Sequence, residues 1–287
     1  MKFKKRIAAT LVSVLLTAGL ITTAGCTKSE TAAPASNATK KVLRVGMECN
    51  YAPYNWTQAD NSNGAVPIAN SGGEYTNGYD VMMAKKIADA IGYELQIVKT
   101  EWDGLAPGVV SGKLDAVIAG MSITEERKKT VDFTDPYYKA TIYALVRSDS
   151  KYVSAKSVAD LKGASCTSQQ NTVWYDMLRQ IPDAKIQPAM KNVPSLIVAL
   201  SSGKTDVFVT DKPTAMGAVY ANKKLVMLDF SGENGFQASD EDVNLGIAVS
   251  KSNPELKAAI NKALSAISET DRDKIMQDAI AKQPLAQ

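Results

Sequence analysis

The feature that most constrains the fold of this 287-residue chain is an alternation of short β-branched runs with helix-patterned runs that end in glycine. Residues 41–48 and 93–100 have the composition of buried strands. Residues 79–92 lie between them, carry apolar side chains at helical spacing and end in Gly92. This order predicts parallel strands in an α/β architecture. Residues 57–78 are polar and glycine-rich, and are predicted to form a surface loop or a hairpin.

One helix–strand unit occurs twice. VVSGKLDAVIAG at residues 109–120 is echoed by ALSSGKTDVFVTD at residues 199–211. In both, a helix is predicted to end at Ser-Gly-Lys, and an aspartate precedes a buried strand. The echo is either a chance use of the same helix stop or the sign of two similar α/β lobes. In the second case the two strand ends would face one cleft, because ligands of open α/β sheets bind beyond the carboxyl ends of the strands.

The amino terminus, residues 1–25, has the pattern of a signal peptide. A basic MKFKKR is followed by an apolar stretch too short to span a membrane, and small residues lead to Cys26. The stretch resembles the lipobox of bacterial lipoproteins, in which the chain is cut before the cysteine and the thiol takes a lipid. Residues 26–40 are polar, small and proline-bearing, as a flexible tether requires. We therefore predict a protein anchored through Cys26 on the extracytoplasmic face of the bacterial cell membrane, with no other membrane contact.

The charged and reactive residues exclude several classes of function. Four of the 33 basic residues lie in the leader, which leaves 29 against 30 acidic residues and no electrostatic basis for binding nucleic acid. The chain has no histidine, which excludes His-based triads and most zinc sites, so we expect neither metal nor cofactor. Cys49 and Cys166 each fall in a predicted strand. We expect buried free thiols there, with a disulfide as the alternative.

Arg127 stands where a cation is unfavourable. Ser122 and Glu125 match the S-x-x-E capping box, which predicts a helix starting near residue 123 with Arg127 in its first turns. A cation beside the positive end of a helix costs roughly 0.3–1 kcal/mol. A bound anion would reverse that cost, because helix N–H groups and a planar guanidinium would meet it together.

Asp211 ends the echoed strand and could supply the opposite charge. An arginine and an aspartate that face each other across a cleft would make a receptor for a zwitterion, the carboxylate on Arg127 and the ammonium on Asp211. The alternative is that Arg127 pairs with Glu125 or Glu126 on a solvated face, while Asp211 caps a turn before Pro213. Spacing alone leaves both open.

The segment SGKLDAVIAGMSITEERKKTVDFTDPYY resembles the core of family 3 of the bacterial solute-binding proteins, the polar amino-acid receptors of ABC importers. The likeness runs from LRVGMECNYAPY through LKGASCTSQQNT to LGIAVSKSNPELKAAINKAL. It implies a two-lobed periplasmic-binding-protein fold of type II, each lobe a mixed sheet flanked by helices, with two hinge strands. It also implies a monomer that binds a free amino acid between the lobes and delivers it to an ABC transporter permease.

Carried over by position, the resemblance assigns the head-group contacts. Arg127 would hold the α-carboxylate, helped by backbone and hydroxyl groups of Gly120 and Ser122 and by Thr172 from the second lobe. Asp211 would bind the α-ammonium.

The same resemblance places Tyr51 and Trp102 where aromatic residues sandwich the ligand side chain, with ordinary core packing as the alternative. Glu48 could point at the far end of the ligand and favour arginine, lysine or histidine, or it could be a solvated strand-end residue. Gln169 could instead offer an amide to glutamine. The family often has glycine where this chain has Asn171, a residue type that tolerates left-handed backbone.

The resemblance divides the chain into lobe I, residues 41–139 and 246–287, and lobe II, residues 140–245, which includes the hinge strands. Ligand would contact both lobes only when they close, so binding would shift the open–closed balance.

Two other classes of function compete with a transport receptor. A cyclohexadienyl dehydratase-like enzyme would need an acid over the leaving hydroxyl, for which Glu48 is the candidate. A sensory module is disfavoured because the sequence ends at KQPLAQ with no spanning segment or signalling domain following. We expect a binding protein and not an enzyme.

Overall fold

The computed structural model describes residues 40–230 and 232–284. The predicted signal peptide, Cys26 and the tether up to residue 39 lie outside these residues. Within them, no helix has the length and apolar character needed to cross a membrane.

Short strands and helices alternate along the chain. The strands are β1 (Val42–Met47), β2 (Asn50–Tyr51), β3 (Asn55–Gln58), β4 (Val66–Pro67), β5 (Tyr75–Asn77), β6 (Glu94–Lys99), β7 (Ala116–Val117), β8 (Asp132–Phe133), β9 (Tyr138–Lys139), β10 (Ile142–Arg147), β11 (Ser165–Thr167), β12 (Lys185–Ile186), β13 (Val207–Asp211), β14 (Leu225–Leu228), β15 (Asn244–Leu245) and β16 (Ala248–Val249). The helices are α1 (Tyr79–Ile91), α2 (Trp102–Val110), α3 (Glu125–Lys128), α4 (Val173–Met177), α5 (Val193–Ser201), α6 (Lys212–Ala221), α7 (Asp240–Val243), α8 (Pro254–Ser265) and α9 (Glu269–Lys282).

Two mixed sheets of five strands each organise the fold. The first sheet has the order β6-β1-β7-β16-β8, and the second has the order β12-β11-β13-β10-β14. Strand β1 runs parallel to β6 and β7, whereas β16 pairs antiparallel with β7 and β8. In the second sheet β11 is parallel to β12 and β13, and β10 is antiparallel to β13 and β14. The predicted α/β fold class is confirmed.

The chain passes twice between the two sheets. Along the chain, β9 connects β8 of the first sheet to β10 of the second sheet. On the return, β15 lies between β14 of the second sheet and β16 of the first. The two passages pair antiparallel, with Asn244 opposite Lys139 and Leu245 opposite Tyr138. β15 lies within residues 140–245, the range predicted to include the hinge strands, and β9 lies directly before it. The lobe boundaries and the hinge remain predictions.

The echoed units end their helices in the same way. After α2, Gly112 has a φ of +73°, and after α5, Gly203 has a φ of +75°. A left-handed residue at a helix end favours glycine, because a side chain there would be strained. The repeated Ser-Gly-Lys is therefore a repeated helix stop.

The echoed aspartates also make equivalent contacts. Asp115 accepts a hydrogen bond of 2.8 Å from the backbone N–H of Arg44, the third residue of β1. Asp206 accepts one of 3.1 Å from the backbone N–H of Ser165, the first residue of β11. Each carboxylate thus joins the start of its own strand to the neighbouring parallel strand, which is why the echo extends beyond the helix stop.

Helix α1 covers the first sheet. Its buried side chains include Val81, Met83 and Ile87 at helical spacing, and it packs against β6 and α8. Gly92, at a φ of +73°, ends the helix as predicted. Side chains of the interior strand β1 of this sheet, such as Val45, are wholly buried.

The glycine-rich stretch, residues 57–78, is a hairpin. It contributes part of β3 and all of β4 and β5 to a four-stranded antiparallel sheet of order β2-β3-β5-β4. Ile68 and Thr76 of this stretch are buried. Of the two predicted alternatives, the hairpin is correct.

Both described cysteines are free and buried. Cys166 lies in β11 as predicted, but Cys49 lies at a bend between β1 and β2 with a φ of +56°, so its predicted place in a strand is wrong. The bend is held by Asn55, whose side-chain oxygen accepts 2.7 Å from the Cys49 N–H. Burial raises the pKa of both thiols to about 11.

Candidate ligand-binding site

Helix α3 begins at Glu125, two residues later than predicted. Its N-cap is Thr124, whose hydroxyl accepts a 3.3 Å hydrogen bond from the Arg127 N–H. The predicted capping box at Ser122 is therefore wrong. Ser122 instead forms a β-bridge with Leu245, which keeps the chain extended there and delays the helix.

We call the part of the fold built on the first five-stranded sheet the first half, and the part built on the second sheet the second half. Arg127 reaches away from its helix toward the second half. Its Nη1 donates 2.8 Å to the carbonyl of Ser122, and its Nη2 donates 2.9 Å to the carbonyl of Asn171. The guanidinium carbon lies 5.3 Å from the ring centroid of Trp102, within cation–π distance. Asn171 follows β11 of the second sheet, so this side chain connects the two halves of the fold.

Arg127 takes no part in the ion pairs formed by residues 40–230 and 232–284. Glu125 pairs with Lys128 at 2.7 Å, and Glu126 pairs with Lys129. The alternative in which Arg127 pairs with either glutamate is therefore wrong. Burial lowers the pKa of Arg127 to about 10, so the side chain remains a cation at neutral pH. The result is a partly desolvated guanidinium that would gain from an anionic partner.

Asp211 both caps a helix and faces the first half of the fold. Its Oδ1 accepts 3.0 Å from the N–H of Thr214 at the start of α6, and its Oδ2 accepts 2.9 Å from the Thr214 hydroxyl. The hydroxyl of Tyr51, from β2, donates 2.7 Å to the same Oδ2. The carboxyl is wholly buried, and this burial raises its pKa. Capping and a position between the halves are therefore compatible roles.

Gly120 makes room for Tyr51. It has a φ of +62°, and a Cβ added to it would lie 2.9 Å from Cε1 of Tyr51. The Tyr51 ring stacks on Tyr54 with centroids 4.8 Å apart. The Gly120 N–H donates 2.8 Å to the hydroxyl of Tyr137. Gly120 thus positions the tyrosine that reaches Asp211.

Glu48 is buried and meets the second half of the fold. Gln169 donates from Nε2 to Glu48 Oε1 at 3.1 Å and to the carbonyl of Lys191 at 3.0 Å. Thr172 donates 2.7 Å to the carbonyl of Gln169 and so holds the same loop. Only 3% of Glu48 is exposed, and burial raises the pKa of its carboxyl to about 7. The alternative of a solvated strand-end glutamate is wrong.

Asp103 is a contact that sequence reasoning missed. Its Oδ1 accepts 2.7 Å from the side-chain amide of Asn171, and its Oδ2 accepts from the amide of Gln170. Asn171 has a φ of +56°, as its residue type allowed. Asp103 lies in the first turn of α2, where an acidic residue is common, so nothing in the sequence set it apart.

Asp80 is a second missed residue. Its wholly buried carboxylate accepts 2.7 Å from the Tyr137 hydroxyl and 2.8 Å from the Asn55 amide. Because that hydroxyl accepts from Gly120, Asp80 supports the backbone beneath Tyr51. Burial raises the pKa of Asp80 to about 7. In the sequence it is indistinguishable from an ordinary first-turn acid.

The structure brings the predicted site residues to the junction of the two halves. The contacts described above join residues of the two halves. The first half contributes Glu48, Tyr51, Trp102, Gly120, Ser122 and Arg127, and the second half contributes Gln169, Thr172 and Asp211. A cation and buried acids therefore occur at one interface. Within residues 40–230 and 232–284, no cluster of three or more acidic or cysteine side chains could hold a metal ion.

A comparison with known protein families decides the class. Residues 43–280 match the bacterial extracellular solute-binding proteins, family 3. The chain belongs to this family. The match spans both sheets and both passages between them, so the family assignment covers nearly all of the described fold.

Two relatives of the family resemble the chain over most of its length. A probable histidine-binding protein of Neisseria gonorrhoeae is 30% identical over 285 residues, which are 99% of this chain and 98% of the relative. Another, of Campylobacter jejuni subsp. jejuni serotype O:2, is 32% identical over 212 residues, 73% of this chain and 76% of the relative.

A solved structure of the same type has a similar fold. It is an amino acid ABC transporter substrate-binding protein from Streptococcus pneumoniae Canada MDR_19A bound to L-arginine, with 28% identity and a TM-score of 0.72. The match covers 84% of this chain and 94% of that protein. The predicted type II binding-protein fold is confirmed.

The buried Asp80 predicts a pH signature. Its folded-state pKa lies well above the ordinary value of 3.8, so the folded protein binds its proton more tightly than the unfolded chain does. The free energy of unfolding of the wild type, relative to Asp80→Asn, should therefore fall as pH rises from about 4 to 7. The slope should be up to about 1.4 kcal/mol per pH unit.

Urea unfolding of both proteins across this pH range measures the difference. The other titrating groups are common to both proteins, and they cancel in the comparison. A difference that stays constant with pH would show that Asp80 is not held in the dry network described here.

Proposed function

We propose that the chain is the substrate-binding lipoprotein of an amino-acid ABC importer. It binds a free L-amino acid between its two halves, with a preference for a cationic side chain, and delivers it to the permease. The observation that carries this proposal is Arg127, a partly desolvated cation outside the ion pairs of the described residues, at the same junction as the buried Asp211.

The head group of an amino acid suits this pair of charges. Its carboxylate would take N–H groups of Arg127 that the carbonyls of Ser122 and Asn171 leave available. Its ammonium would supply a counter-charge for Asp211, whose carboxyl is buried and shielded from water. Because the two contacts come from opposite halves, ligand would stabilise the closed arrangement of the fold.

Glu48 supports a cationic ligand side chain. It is a buried acid that the Gln169 amide only partly satisfies, and a cation would favour its charged form. The histidine-binding names of the two relatives and the L-arginine bound to the Streptococcus pneumoniae protein agree with this preference. Glutamine is the alternative ligand, through the amide of Gln169. Binding without catalysis and a monomeric state complete the proposal.

The lipid anchor belongs to the same proposal. Its support is the leader, in which a basic start, a short apolar stretch and small residues lead to Cys26. An extracellular solute-binding family is consistent with export and tethering at the cell surface.

Replacing Cys26 by serine tests the anchor, because serine cannot provide the thiol that takes the lipid. In an expressing bacterium, Cys26→Ser should move the protein from the membrane fraction to the soluble extracytoplasmic fraction. Mass spectrometry of the wild type should find a lipid on residue 26. An unmodified mature wild-type protein would contradict the anchor.

Replacing Arg127 by alanine tests amino-acid binding. Isothermal titration calorimetry against the twenty amino acids identifies the ligand of the wild type, and Arg127→Ala should then lose at least about 100-fold in affinity. The reason is that truncating one partner of a buried charge pair costs roughly 2–5 kcal/mol. Arg147→Ala is the matched control, since Arg147 also donates to two carbonyls, Leu200 and Thr205, but lies outside the site.

Asp211→Asn separates charge from capping, since asparagine is also a good N-cap. It should keep the protein folded and weaken binding strongly. Near-normal affinity in Arg127→Ala, or equal losses in Arg127→Ala and Arg147→Ala, would rule out the proposed role.

Glu48→Gln tests the preference for a cation. With L-arginine, the wild type should bind more weakly at pH 6 than at pH 8. In the ligand-free protein the Glu48 carboxyl has a pKa of about 7, and it must lose its proton to bind a cation. The affinity for L-arginine should therefore fall by up to about tenfold per pH unit below 7. At pH 8 the variant should bind L-arginine at least about tenfold more weakly than the wild type does, and its affinity should depend little on pH.

L-glutamine is the control ligand for this experiment, because its neutral side chain does not need the carboxylate. If Glu48→Gln binds L-arginine as well as the wild type does at pH 8, Glu48 does not select the ligand. Tighter binding of L-glutamine than of L-arginine by the wild type would make glutamine the preferred assignment.

A further inference from the structure

We propose that Asp103 is a positioning residue for ligand retention. It clamps the loop of residues 168–172 against the first half of the fold, so that the carbonyl of Asn171 orients the Arg127 guanidinium. This inference rests on the proposed function for its ligand, although the clamp itself is a property of the protein alone.

The clamp is made by one carboxylate and two successive amides. Asp103 Oδ1 accepts 2.7 Å from Asn171 Nδ2, and Asp103 Oδ2 accepts from Gln170 Nε2. Asp103 lies in α2, which connects β6 to β7 of the first sheet. The two amides belong to the segment that follows β11 of the second sheet. Both oxygens of one charged group are thus used to join the two halves, and such charge-assisted bonds are the stronger kind.

Asn171 connects the clamp to Arg127. Its backbone has a φ of +56°, a left-handed conformation that asparagine tolerates. In this conformation its side chain meets Asp103 while its carbonyl accepts 2.9 Å from Arg127 Nη2. Asp103 therefore acts on the guanidinium through Asn171, without a contact of its own to the proposed head-group site.

The clamp lies at the rim of the junction. Asp103 and Asn171 are exposed, whereas Glu48, Tyr51 and Asp211 are buried. A cavity of about 500 Å³ opens beside the clamp, lined by Glu101, Trp102, Asp103, Gln170, Lys191 and Asn192. A bond at this position closes over bound ligand, so it opposes escape more than entry.

This placement predicts which rate constant changes. The clamp forms and opens in the ligand-free protein, and ligand enters while it is open, so loss of the clamp should leave the association rate constant nearly unchanged. Escape requires the halves to separate, so the dissociation rate constant should rise. A residue that merely supported folding would change the melting temperature and would not split the two rate constants in this way.

Stopped-flow fluorescence with L-arginine as the probe measures both rate constants. Asp103→Ala should raise the dissociation rate constant about tenfold, the effect expected for hydrogen bonds to a charged group, and keep association within about twofold. Asp103→Asn keeps one acceptor oxygen and should fall between the wild type and Asp103→Ala. Glu101→Ala is the control, since it removes an equal charge two residues away at the same rim.

Asn171→Gly tests the connection, because glycine accepts the positive φ and keeps the carbonyl while removing the amide. It should also raise the dissociation rate constant. The double variant Asp103→Ala/Asn171→Gly should dissociate less rapidly than the product of the two single effects implies, since the two residues share one bond.

An unchanged dissociation rate constant in Asp103→Ala would overturn the proposal, as would an equal rise in Glu101→Ala or full additivity in the double variant. Hydrogen exchange of the ligand-free protein separates this outcome from failure of the proposed function. Residues 168–172 should exchange faster in Asp103→Ala than in the wild type whether or not L-arginine binds. Equal exchange in both proteins would refute the clamp.

Discussion

The site depends on two hydrogen bonds of the Arg127 guanidinium, which donates to two carbonyls from opposite halves of the fold. Ser122 fixes one nitrogen from within the same half, and Asn171 fixes another from across the junction. Trp102 covers the group, so it is partly removed from water while its charge persists. A fixed, partly desolvated cation would suit the carboxylate of the proposed ligand, since little reorganisation would be needed when the anion binds.

Buried acids complement this cation. Burial raises the pKa values of Glu48, Asp80 and Asp211, so the folded protein holds carboxyl groups where their charge is unfavourable. Asp80 is used internally, to hold Tyr137 and through it Gly120. Glu48 and Asp211 lie at the junction, where an ammonium or a cationic side chain would relieve the cost. Bound ligand would therefore raise the free energy of unfolding of the protein.

Local patterns in the sequence predicted the α/β fold class and singled out Arg127 and Asp211, but they did not predict the contacts that join the halves. The strand–helix alternation and the echoed helix stop depend on near neighbours, so they were readable. The cap at Thr124 was misassigned to Ser122 because a bridge to Leu245, far along the chain, keeps Ser122 extended. Asp103 and Asp80 look like ordinary first-turn acids, and only the distant partners Asn171 and Tyr137 give them their roles.

A crystal structure of the protein with its bound amino acid would show whether Arg127 and Asp211 hold the ligand head group. In such a structure the ligand α-carboxylate should lie within hydrogen-bond distance of the Arg127 guanidinium, and the α-ammonium should contact Asp211. A ligand bound elsewhere, with the guanidinium of Arg127 turned toward bulk water, would contradict it.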